Sequence, residues 1–118
     1  MRAKDAIGRY GEDVAARHLQ ESGLDILARN WRCREGEIDI VAHERGALVF
    51  CEVKTRSTVA CGLPVEAVTR RKADRLRRLA LLWLQEHPGG GVDVRFDVVS
   101  VMRSTAGAAV VEHIRAAF

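Results

Sequence analysis

Gly36-Glu37-Ile38-Asp39-Ile40-Val41 and Phe50-Cys51-Glu52-Val53-Lys54-Thr55-Arg56 decide how this chain is read. Both are short apolar runs, and they stand on either side of Gly46. Stretches 37–43 and 47–54 are rich in Ile, Val, Leu and Phe, with Glu44-Arg45-Gly46 between them, which predicts a β-hairpin. Each run also carries charge where a half-buried strand normally carries Val or Ile. Such charge is costly on a sheet unless it is paired, solvated or bound to a metal. Asp39, Glu52 and Lys54 therefore mark the first place to look for chemistry.

Side chains alternate between the two faces of a strand. Glu52 and Lys54 share a face, and Cys51 and Val53 take the other. Glu37, Asp39 and Val41 likewise share a face, opposite Ile38 and Ile40. A hairpin loop with an even residue count, Arg45-Gly46 or His43 to Gly46, puts Asp39 on the face of Glu52 and Lys54. The odd loop Glu44-Arg45-Gly46 puts it on the opposite face. The even register, barring a bulge, is the expectation, and carboxylates on opposite faces would argue against a shared site. Converging carboxylates favour a hard divalent cation with oxygen ligands. A neighbouring lysine suits a phosphate or a reacting water. The bland alternative is a cross-strand surface salt bridge.

Outward from the hairpin, residues 4–21 read as a helix, with Ile7, Tyr10, Gly11, Val14, His18 and Leu19 on one face and Gly23 as the stop. Leu24 to Trp31 reads as a strand. Residues 57–64, with Gly62 and Pro64, read as a loop. Val65 to His87 gives the strongest helical pattern, with Val65, Val68, Leu76, Leu79 and Trp83 as its stripe and Pro88 as its end. Lys72 falls inside that stripe, which suggests that it reaches the acidic groups of the sheet near Glu52. Residues 92–102 and Ala109–Ile114 read as strands, joined by a turn at Ser104 to Gly107. The order α-β-β-β-α-β-β predicts an α/β fold with a mixed sheet flanked by helices.

The length of 118 residues suits a single domain over 1–118. No apolar run approaches the ~18 residues of a membrane span, and Met1 to Asp5 lacks a signal core. A cytoplasmic location is expected. Three cysteines with no close pair argue against a disulfide framework or zinc site. The net charge of +3 is unevenly spread: residues 69–78 hold six of the 19 basic residues and one of the 16 acidic ones. Arg71, Arg75 and Arg78 cluster on one flank, a pattern suited to phosphate contacts, which supply affinity without sequence specificity. Thr55 and Arg56 could add another. Few aromatics argue against recognition by stacked single-stranded bases.

Asp39, a hairpin to Glu52-Val53-Lys54, and a helix on either side resemble the PD-(D/E)xK nuclease superfamily, which includes restriction endonucleases and archaeal Holliday junction resolvases. Several blocks together resemble more closely the YraN-type bacterial family of predicted endonucleases. They are Gly8-Arg9-Tyr10-Gly11-Glu12, Gly36 to Val41, Phe50 to Arg56, Arg95-Phe96-Asp97-Val98-Val99 and Glu112-His113-Ile114. Ile38 stands where the superfamily often has proline. The resemblance implies a restriction endonuclease-like domain. It implies that Asp39, Glu52 and the Val53 carbonyl hold Mg²⁺ or Mn²⁺, that Lys54 positions the attacking water, and that Glu12 assists.

The reading that follows is a metal-dependent endonuclease hydrolysing DNA phosphodiester bonds, with branched or damaged DNA in view. Arg56, Arg71, Lys72, Arg75 and Arg78 would contact the nucleic acid. A junction-cutting enzyme would need two active sites, hence a homodimer. The alternative is a nucleic-acid-binding or assembly module of the same fold that does not cut. A metal-free hydrolase with paired carboxylates fits less well, because a basic helix suits phosphate better than sugar.

Overall fold

The computed structural model describes residues 3–56, 69–89, 93–103 and 107–118. Helix α1 (Ala3–Glu21) is followed by strands β1 (Asp25–Cys33), β2 (Gly36–Glu44) and β3 (Ala47–Arg56), helix α2 (Arg70–Glu86), and strands β4 (Asp93–Met102) and β5 (Val110–Ile114). The order α-β-β-β-α-β-β and the mixed α/β class agree with the sequence expectation. The loop expected over 57–64, Val65 and Val68 of the expected stripe, and residues 104–106 of the expected turn lie outside the described residues.

The five strands lie in sequence order across one sheet. β3 and β4 are parallel, and the other neighbours are antiparallel. The parallel pair needs a crossover, and α2 lies within that connection.

Helix α1 covers one face. Ala15, Ala16 and Leu19 pack there on Ile40, Ala42, Val49, Cys51, Val99 and Val101. Helix α2 covers the other, where Leu76, Leu79, Ala80 and Trp83 pack on Ile38, Val41, Leu48 and Phe50. Tyr10 was expected on the inner face of α1 but is 40% exposed, with the Arg103 guanidinium over its ring. Gly23, at φ +100, ends α1 in a left-handed conformation that glycine adopts without steric cost. Helix α2 starts at Arg70 because the Thr69 hydroxyl caps it, accepting from the Lys72 amide at 3.2 Å.

A second polar network ties the C-terminal tail to the sheet, at the end away from Glu52 and Lys54. Asp97, fully buried, accepts from Arg95 Nε (2.9 Å), His113 Nε2 (2.7 Å) and the Ala116 amide (3.0 Å). Burial pushes its carboxyl up, but the bonds from His113 and Arg95 outweigh that and leave it lowered. Glu44 receives Arg95 at 2.7 Å and Arg115 at 3.1 Å. Phe118 stacks on Phe96 in turn.

Candidate metal and phosphate site

The β2–β3 loop is Arg45-Gly46, the even count: Glu44 pairs with Ala47, and the ladder runs to Ile40 opposite Cys51. One more step brings Asp39 opposite Glu52. At that step the regular ladder stops. The Val53 amide donates to the Asp39 carboxylate at 2.8 Å. β2 also loses its alternation here, since Ile38 packs with the α2 cluster and Ile40 with the α1 cluster. The two strands form a fork, and the Asp39 carboxylate sits in it.

The simple face argument is therefore corrected. Asp39 lines a cleft of about 630 Å³ beside α1, with Ile7, Gly8, Glu12, Val53, Lys54 and Thr55. Glu52 lines a small cavity beside α2, with Glu37, Lys72, Arg75, Leu76 and Leu79. The carboxylates flank the fork from two sides, yet they still feel each other. Burial pushes the Asp39 carboxyl up to about 7, and the Glu52 charge is the next contribution, ahead of Glu12 and Glu37. The bulge explains the difference: at a bulge, strand parity no longer assigns a face.

Glu12, Glu37 and Asp39 each offer a carboxylate oxygen, all within 4.8 Å of one another. Glu12 reaches this cluster because α1 approaches β3 closely at Gly11. A Cβ there would lie 1.7 Å from Thr55 Oγ1 and 2.8 Å from Thr55 Cβ. Burial raises the Glu12 carboxyl, and the Asn30 side chain opposes that by hydrogen bonding to it. Three half-buried carboxylates this close repel one another, and oxygen donors of this kind suit a hard divalent cation. The donor set therefore fits a metal.

This trio differs from the expected ligand set. Asp39 and Glu12 are present, and Glu37 joins them, whereas Glu52 stands outside it. Val53 turns its amide, not its carbonyl, to Asp39. Glu37 lies two residues before Asp39, so strand spacing carried a signal that sequence reading passed over. It also touches both cavities and pairs with Arg32 at 3.4 Å.

Lys54 lines the larger cleft. Its ammonium is lowered, first by a hydrogen bond with Lys72 and then by burial. Lys72 is exposed rather than inside the apolar stripe, which Ala73 occupies instead. Lys72 still lines the Glu52 cavity, as expected of it, beside Arg75. Arg71 is exposed at the start of α2. Arg78 binds Glu35, and Arg77 binds Asp74 and lies over Phe118, so the basic helix is partly neutralised. Arg56 ends β3 beside Met102. No helix among the described residues is long and apolar enough to cross a membrane.

A solved structure, that of Pyrococcus furiosus SfsA in complex with Ca²⁺, is similar over 95% of this chain and 63% of that one, at 12% identity and a TM-score of 0.37. Sequence relatives are far nearer. A UPF0102 protein of Frankia casuarinae is 62% identical over 118 residues, covering 100% of both chains. One of Beutenbergia cavernae is 61% identical over 115 residues, covering 98% of both. One of Streptomyces griseus is 57% identical over 118 residues, again covering 98% of both. Residues 11–101 match the uncharacterised protein family UPF0102, and the chain belongs to that family, the YraN-type one its sequence blocks resemble.

Proposed function

We propose that this chain is a single-domain, cytoplasmic, metal-dependent endonuclease acting on DNA phosphodiester bonds. The observation that carries the reading is the convergence of Glu12, Glu37 and Asp39 within 4.8 Å, with Lys54 in the same cleft as Glu12 and Asp39. Those three carboxylates would hold Mg²⁺ or Mn²⁺, with Glu52 acting across the fork. A divalent cation bound there supplies Lewis acidity and a more acidic water. Lys54 orients the water or a phosphate oxygen with its ammonium. Arg71, Lys72 and Arg75 hold the phosphate backbone on the α2 side, and Arg56 extends that surface at the end of β3.

The test is cleavage of nicked, flapped and branched DNA with Mg²⁺ or Mn²⁺. Activity abolished by a chelator, by Asp39→Ala and by Glu52→Ala is the expected result. No cleavage of any duplex, branched or single-stranded substrate with either metal would overturn the reading.

A second reading, a DNA-binding or assembly module that does not cut, is favoured by one observation: Glu52 stands outside the carboxylate trio. It expects salt-sensitive DNA affinity that survives alanine at Asp39 and Glu52 and falls with Arg71→Ala and Arg75→Ala.

A further inference from the structure

We propose that Asn30 is a positioning residue, its side-chain amide holding the Glu12 carboxylate against Asp39 and Glu37. The inference rests on reading that trio as the metal-binding centre. Arg29 pairs with Ile40 and Trp31 with Ile38, so Asn30 stands directly opposite Asp39. By the same register Asp39 stands opposite Glu52. Asn30, Asp39 and Glu52 thus form one row across three strands, at the fork.

The backbone of Asn30 is unusual for a strand, with φ +53. Left-handed conformations are costly for most side chains, and Asn is among those that tolerate them best. The consequence is visible in what its neighbours touch. Arg29 binds Asp13 of α1 at 2.6 Å, and Asn30 binds Glu12 of the same helix. Two successive residues of a regular strand point to opposite faces, yet here both reach successive residues of one helix. Trp31 then returns to the α2 side. Strained backbone of this kind gathers at functional sites.

The amide also has a chemical task. Glu12 lies among like charges, with Glu37 and Asp13 both raising its carboxyl. Repulsion drives such a side chain out of the cleft. An amide donor from β1 holds it in place without adding charge, and it orients one oxygen while leaving the other for a cation. Partners that orient metal ligands in this way are worth about 10–100-fold in metal affinity.

The test uses Mn²⁺ binding to the full chain, followed by calorimetry and electron paramagnetic resonance, with Asn30→Gly and Asn30→Ala. Glycine accepts the left-handed backbone but lacks the amide; alanine lacks both. The expected result is Mn²⁺ affinity about 10–100-fold weaker in both variants, with the glycine variant melting near the wild type. Mn²⁺ affinity restored in Asn30→Gly would overturn the inference, because backbone shape alone would then suffice. If the wild type binds no Mn²⁺, the reading of the trio as a metal centre fails separately. The pairing is then decided in the metal-free protein by NMR. Asn30 side-chain amide signals that shift in Glu12→Gln and stay put in Glu21→Gln sustain it, and signals unmoved by Glu12→Gln overturn it.

Discussion

The Val53 amide donates to the Asp39 carboxylate at 2.8 Å, where the β2–β3 ladder has just ended. One hydrogen bond cannot offset what surrounds that carboxylate. Burial and the charges of Glu52, Glu12 and Glu37 push it up to about 7. An amide side chain at this position keeps the Val53 bond and removes the charge. Asp39→Asn should therefore raise the melting temperature of the metal-free protein at pH 8 and leave it nearly unchanged at pH 5, where Asp39 is already protonated. The same variant should lose Mn²⁺ binding. Equal shifts in melting temperature at both pH values would show that Asp39 carries no such repulsion.

The pH dependence of the metal-free fold follows from two groups of opposite sign. Asp39 has a raised carboxyl, so its contribution is complete below the ordinary Asp range near 3.9 and is lost as pH rises towards about 7. Glu44 is held down to about 2, chiefly by its bond from Arg115. Its contribution is complete above the ordinary Glu range near 4.3 and is lost as pH falls from there towards 2. Stability should peak between about pH 4.5 and 6. Saturating Mn²⁺ should move the peak upward, because a cation favours ionised Asp39. A denaturation series with and without metal, from pH 3 to 9, reads both limbs.

Gly11 has no room for a side chain, since a Cβ would meet both Oγ1 and Cβ of Thr55. Gly11→Ala must push α1 away from β3, at a cost of about 1–3 kcal/mol. The displacement also carries Glu12 out of the trio, so Mn²⁺ affinity should fall further than in Gly8→Ala. Gly8 lines the same cleft, but a Cβ there meets nothing within 4 Å. Chemical denaturation and Mn²⁺ titration of the two variants make the comparison.

The buried carboxylate at the other end of the sheet behaves differently. Asp97 takes bonds from Arg95, His113 and the Ala116 amide. Asp97→Ala strands a guanidinium and an imidazole that are both largely buried. Removing one partner from such a network costs about 3–5 kcal/mol. The release of the tail should also appear as faster hydrogen exchange at Ala116 and Ala117, whose amides bond to Asp97 and the Phe96 carbonyl. Unchanged exchange there would remove Asp97 as the anchor.

The elements were legible because period and punctuation agree: Ile38, Ile40, Val49 and Cys51 alternate, and Leu76, Leu79 and Trp83 recur at helical steps. The hairpin register was legible from Arg45-Gly46, and both residues adopt the positive φ that a tight two-residue loop demands. The bulge was not legible, because Asn30 leaves the β region in response to α1 and β2, which are distant in sequence. Everything that follows from the bulge was hidden with it: the fork, the turn of Asp39 towards α1, and the separation of Glu52. Lys72 was misplaced for a smaller reason. Its spacing from Leu76 fits the stripe, but Ala73 fits equally well and is the residue that packs.

The arginines of α2 should divide by what already holds them. Arg77 lies over Phe118 and binds Asp74, and Arg78 binds Glu35. Arg75 runs over Gly36 into the Glu52 cavity, and Arg71 stands exposed near the helix start. Phosphate contacts release counterions, and each one lost lowers the salt slope of duplex binding by about 0.9. Arg71→Ala and Arg75→Ala should each lower the slope by roughly that amount. Arg78→Ala should lower it less, because its guanidinium must leave Glu35 before it reaches a phosphate, while Glu35→Ala should release it and strengthen binding. Fluorescence anisotropy on a labelled duplex across a salt series separates these cases. A slope unaltered by Arg71→Ala and Arg75→Ala would mean that α2 does not face the nucleic acid.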